Sequence, residues 1–157
     1  MAELRMIAIS SELAAKVRVT MMSPGWGHPA SAAVAKGHGP CRHCLQPFVV
    51  GEDVRILFTL NMFEGMDAIP QPGPVFVHEC VCERYEEDGG FPEKLLQFGS
   101  VLDGYDDRQI VRRRERVSDC SQQSMLEEMM SDPLIQYVMV RDAKAGCYDF
   151  RVERQEG

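Results

Sequence analysis

Val54-Arg55-Ile56-Leu57-Phe58-Thr59-Leu60 and Val75-Phe76-Val77, separated by a proline- and glycine-rich break from Pro70 to Pro74, are the runs on which the fold turns. Both are rich in β-branched and aromatic side chains that suit a pleated, buried surface, and neither is long enough for a helix. Two such runs with a long non-helical connection predict an antiparallel hairpin. Gly51-Glu52-Asp53 reads as the turn that leads into the first of them.

Working outward, Arg5 to Ile9 reads as a short strand, and Ser10 or Ser11 caps a helix that carries Leu13, Ala14 and Val17 at helical spacing. From Ser23 to Pro40 the composition shifts to Gly, Pro, Ala, Ser and His, which predicts one long loop around Trp26. Downstream, Pro92 to Leu96 reads as one helical turn, and Phe98 to Leu102 and Gln109 to Val117 as strands. Ser124 and Glu127 have capping-box spacing, with Ser121 and Asp119 as alternative caps, ahead of an apolar stripe of Met125, Leu126, Met129 and Met130. Asp132-Pro133 ends that helix. Leu134 to Arg141 and Cys147 to Glu153 read as two last strands, joined through a turn in which Gly146 supplies a positive φ. Strands outnumber helices, so the expected class is α+β, a mainly antiparallel sheet with two or three helices.

The 157 residues fit a single domain, 1–157, able to bury roughly 70% of the surface its unfolded chain exposes. Seventeen basic against twenty-four acidic side chains give a net charge of −7, which repels a phosphate backbone and argues against nucleic acid as a partner. The local exception, Arg112-Arg113-Arg114 with Arg116, alternates faces on a strand and has Asp106, Asp107 and Glu115 close by; it reads as a solvated, salt-bridged surface. The first apolar stretch, Met6 to Ile9, is too short for a signal peptide, and no run approaches the ~20 apolar residues of a membrane helix. A cytoplasmic location is expected, where the six cysteines stay reduced.

The chemistry lies in cysteine spacing. Cys41-Arg42-His43-Cys44 is a tight turn that delivers half of a tetrahedral zinc shell, and His78, Cys80 and Cys82 supply the other half. On a helix opening near Glu79, His78 and Cys82 lie one turn apart and Cys80 turns aside. The expected ligands are therefore Cys41, Cys44, His78 and Cys82, with Cys80 in reserve, in a zinc lobe at 40–88. Four protein ligands close the shell and make the metal structural. A cysteine turn, a hairpin and two ligands at a helix start resemble the layout of treble-clef zinc modules. His43, inside that turn, is an alternative ligand, but the expected reading is an exposed polar turn residue.

Other readings compete. Cys41 and Cys44 are also a candidate redox pair, although Pro40 and Pro47 leave no room for the helix that such a motif opens. Cys147, near Lys144, is a candidate nucleophile without a histidine nearby in sequence. Asp103, Asp106 and Asp107 read as a polar turn and not as a cation site. Cys120 is read as packing.

Pro40-Cys41-Arg42-His43-Cys44-Leu45, Gly51-Glu52, Gly73-Pro74-Val75-Phe76-Val77-His78, Gly104-Tyr105-Asp106, Asp132-Pro133 and the ending from Val140 to Tyr148 together resemble the bacterial family DUF1203 over nearly the whole chain. The resemblance implies a single soluble bacterial domain and assigns no activity. The functional expectation is a non-catalytic, zinc-stabilised domain that binds another protein or a small ligand near Trp26. The opposing expectation is a thiol-dependent enzyme or redox protein using Cys147 or the Cys41/Cys44 pair.

Overall fold

The computed structural model describes residues 3–155. In chain order they form β1 (Leu4–Ile7), α1 (Ser11–Thr20), β2 (Ser31–Val34), β3 (Val54–Asn61), β4 (Pro72–His78), a 3-10 turn (Glu93–Phe98), β5 (Ser100–Tyr105), β6 (Val111–Val117), α2 (Gln122–Met130), β7 (Tyr137–Asp142) and β8 (Tyr148–Arg154). All strand pairings within the two sheets are antiparallel, so the α+β expectation holds. The chain divides into two compact units: Ile9–Arg84, and the remainder on either side of it. Among the described residues no helix is long and apolar enough to cross a membrane.

The Ile9–Arg84 unit is built on the predicted hairpin. β3 and β4 pair from Arg55 opposite His78 to Asn61 opposite Pro72. Ile56, Phe58 and Leu60 alternate into the core with Val75 and Val77, and Phe48 and Leu45 join them. Pro72 and Pro74 are tolerated because β4 is an edge strand, where a missing N–H need not break a ladder. The other edge is β2, inside the segment expected to be one loop, pairing Ser31 with Leu57 through to Val34 with Val54. Ser-Ala-Ala-Val is exposed throughout, so it carries no apolar alternation by which sequence alone would reveal a strand. α1 is capped as expected: the Ser10 hydroxyl accepts from the Leu13 amide at 3.1 Å, and Ala14 and Val17 form its buried face.

In the other unit the sheet order is β1-β8-β7-β5-β6. The central strand β7 is buried on both faces over Tyr137-Val138-Met139-Val140, which explains its continuous apolar run. α2 begins at Gln122 with Ser121 as its cap residue, which places Ser124 inside the helix, and Leu126, Met129 and Met130 face the core. Gly104 leaves no room for a side chain: a Cβ there would stand 2.9 Å from Ile135 Cδ1 and 3.2 Å from Met129 Cε of α2. β5 extends to Tyr105, so Asp103 lies in a strand and not in the expected turn.

Asp103 is 1% exposed and is held by Arg114 Nε at 2.6 Å and Arg141 Nε at 2.9 Å, one arginine from each neighbouring strand. Two more members of the basic run are salt-bridged as expected, with Arg113 reaching Glu115 at 2.8 Å and Arg112 lying 3.8 Å from Asp106. A buried carboxylate with two arginines is costly to break because the remaining charges lose their partner. Asp103→Asn is expected to lower the unfolding free energy by about 3 kcal/mol, read from the urea midpoint, and an unchanged midpoint would show the triad to be energetically idle.

Candidate metal centre

The cysteine turn is fixed by backbone before any side chain is considered. The Cys41 amide donates to the Gln46 carbonyl at 3.0 Å, the Leu45 amide to the Cys41 carbonyl at 2.8 Å, and Leu45 takes the left-handed conformation that reverses the chain. The turn lies beside β4, with the Arg42 amide donating to the Phe76 carbonyl at 3.0 Å. Cys41 thereby sits next to the end of β4, whose last residue is His78. The His78 amide donates to the Cys41 sulfur at 3.3 Å, an N–H···S bond that joins the two halves of the site.

Ligand atoms of Cys41, Cys44, His78 and Cys82 all lie within 4.8 Å of one another, the one such convergence of three or more His, Cys, Asp or Glu among the described residues. Cys41 is fully buried and the other three are half-buried. Cys80 and Cys120 are exposed, and Cys147 lies in the unit that contains no histidine. The expected set thus comes together, and the reserve ligand stays outside it.

The donor geometry is itself a test of fit. A tetrahedral ion with metal–sulfur bonds of about 2.3 Å and a metal–nitrogen bond of about 2.0 Å requires sulfurs about 3.8 Å apart and a sulfur–nitrogen edge of about 3.5 Å. Cys41 Sγ and Cys82 Sγ are 3.8 Å apart, and Cys44 Sγ is 3.4 Å from His78 Nδ1. Two opposite edges thus have tetrahedral length, and with all four donor atoms within 4.8 Å of one another the four residues can hold a metal ion.

Electrostatics point the same way. The Cys41 thiol is held well below its ordinary range, first by a hydrogen bond from Cys44 and then by one from Cys82, while the same contacts push the Cys44 thiol up. His78 is pushed up to about 10, chiefly by hydrogen bonding to Cys41 and then Cys82. The cluster thus favours one thiolate beside positive charge, the arrangement that a divalent cation satisfies in place of protons. With Nδ1 turned to the sulfurs, the far nitrogen of His78 faces Asp53 Oδ2 at 3.5 Å, and that oxygen also accepts from the Val49 amide at 2.7 Å. A carboxylate behind a ligand imidazole fixes its orientation.

Two expectations need correction. His43 is not an exposed turn residue: it is 3% exposed, with Nδ1 3.2 Å from Cys82 Sγ and Nε2 2.9 Å from the Ser11 hydroxyl. Its burial lowers its affinity for a proton. Its position inside the cysteine turn was the only signal for it, since Ser11 is distant in the chain. The second correction concerns the treble-clef layout, because no helix follows His78 and Cys82 lies in irregular chain. Val81, the one large apolar side chain in Glu79 to Arg84, is 88% exposed, so that stretch has no apolar face for a helix to bury.

The other candidates find ordinary roles. Asp106 accepts from the Arg108 and Ile110 amides in a turn and Asp103 is taken up by arginines, so the three aspartates do not converge. No helix starts at Cys41-Cys44 to lower a redox thiol. Trp26 is 38% exposed in its glycine-flanked loop.

A family model described as "Protein of unknown function (DUF1203)" matches residues 38–154, and the chain belongs to this family. The matched region includes all four clustered residues. No curated protein and no solved structure matches the chain.

The geometry separates Cys44, inside the cluster, from Cys80, which is exposed outside it. Cys44→Ser is expected to abolish retention of a metal ion and to lower the melting temperature, whereas Cys80→Ser leaves both within error. Equal losses from the two, by metal analysis and thermal unfolding, would show that the ligand set is wrong.

Proposed function

We propose that this DUF1203 protein is a non-catalytic binding domain whose Ile9–Arg84 unit is stabilised by a structural zinc ion on Cys41, Cys44, His78 and Cys82. The observation that carries this reading is the closed donor set: three sulfurs and one imidazole with tetrahedral edges. Soft thiolates with an imidazole suit zinc and not magnesium or calcium, which take oxygen ligands. Four protein donors leave no position for water or substrate, so the ion holds chain together and does no chemistry. The six free cysteines fit a reducing compartment, and cytoplasmic location is part of the reading.

A role in binding follows from what the chain offers. With zinc and three thiolates the net charge becomes −7 + 2 − 3 = −8, unfavourable for nucleic acid. Trp26 is an exposed, amphipathic anchor on a loop braced by the Ser23 amide bonding the His28 carbonyl at 2.8 Å, and a protein or small ligand is the partner we assign to it.

Protein purified without chelator is expected to carry one zinc per chain. Structural zinc contributes about 10 to 16 kcal/mol in finger peptides, against the ~5 to 15 kcal/mol that holds a domain together, so chelation should unfold the Ile9–Arg84 unit. Circular dichroism during chelator titration reads this out. A metal-free, fully folded protein with a rapidly alkylated thiol would overturn the proposal in favour of a thiol-dependent enzyme.

A further inference from the structure

Helix α1 approaches the cluster at two points seven residues apart, Ser11 and Arg18, which two helical turns place on one face. Arg18 Nε donates to the His78 carbonyl at 2.9 Å, and its Nη2 reaches Cys82 Sγ at 3.2 Å. From the other end, Ser11 Oγ is 2.9 Å from His43 Nε2, and His43 Nδ1 is 3.2 Å from the same Cys82 sulfur. Two side-chain nitrogens therefore converge on one ligand, and both are tied to one helix.

We propose that Arg18 and His43 are the outer shell of the metal centre, donating to the Cys82 thiolate and docking helix α1 through the ion. The inference rests on the structural-zinc reading. A metal-bound thiolate has no proton, so it can only accept. His43 must then carry its hydrogen on Nδ1, and in the neutral imidazole Nε2 is left to accept the Ser11 hydroxyl hydrogen. Charge runs in parallel: zinc with three thiolates sums to −1, and the Arg18 guanidinium on the Cys82 sulfur offsets that excess in a partly buried site. Arg18 also spans two acceptors at once, the His78 carbonyl and the Cys82 sulfur, which its forked geometry permits and a lysine cannot reproduce.

Arg18 and His43 are thus positioning residues. Donors to a thiolate draw electron density from sulfur, so removing them raises the sulfur lone pairs in energy, while losing the Arg18 counter-charge and its hold on the Cys82 ligand lowers affinity for the ion. In full-length protein loaded with cobalt(II), Arg18→Gln is expected to move the sulfur-to-cobalt charge-transfer band to lower energy and to weaken zinc retention 10- to 100-fold in chelator competition. Arg18→Lys should fall between Gln and the parent. Ser11→Ala, a mild surface change that removes only the hydroxyl bonded to His43 Nε2, should shift the band in the same direction by less. A purely structural arginine would lower the melting temperature and leave the band where it is.

The outcomes are distinguishable. Parent protein that takes up no cobalt or zinc overturns the zinc reading itself. Parent protein with a normal band, together with Arg18→Gln or, should that variant not fold, Arg18→Lys and Ser11→Ala matching it in band position and in zinc retention within about twofold, overturns the outer shell alone.

Discussion

Three sulfurs and an imidazole nitrogen gathered within 4.8 Å set a constraint that the surrounding chain has to satisfy. Two thiolates about 4 Å apart repel by roughly 4 kcal/mol at the effective dielectric of a protein surface, and three of them form three such pairs. That sum is comparable with the whole stability of a domain, so three thiolates cannot stand together without a cation. Either protons or a metal ion must neutralise them. The tetrahedral edges, the bond from the His78 amide to Cys41 and the cations placed around the cluster all suit the second solution.

The scaffold that creates this constraint is simple. The register of β3 with β4 ends at His78, and the cysteine turn runs alongside β4 at Phe76, so two segments more than thirty residues apart meet at one point. Cys82 arrives from irregular chain and gains its definition from what it touches: Arg18, His43 and Cys41. Asp53, in the turn before β3, closes the arrangement behind His78. The neighbours of the cluster thus come from α1, from the cysteine turn and from both sides of the hairpin's open end. Loosening the cluster would release contacts in each of them.

Legibility in the sequence tracks how local the physics is. The β3/β4 hairpin, α1, α2 and the last two strands were readable because apolar spacing and caps act within a few residues. β2 was not readable, since Ser31 to Val34 is exposed and becomes a strand only because β3 offers it an edge. Asp103 looked like part of a polar turn beside Asp106 and Asp107, yet it is a strand residue drawn inward by arginines on two neighbouring strands. His43 misled for the same reason: polar residues in short turns are commonly solvated, and only contacts with Ser11 and Cys82, both distant in the chain, give this buried one its partners.

What the sequence by itself determined is the class of fold and the chemistry of the donor set, because secondary-structure periodicity and ligand softness are properties of residues and short spacings. Tertiary structure alone decided that Cys82 joins the cluster while Cys80 stays exposed, without the helix that the spacing had implied. It also decided that Arg18 and His43 surround the Cys82 sulfur. The reason is geometric: a coordination site closes only when distant segments are brought to within a few ångströms, and the backbone hydrogen bonds that bring them there are not written in any local pattern.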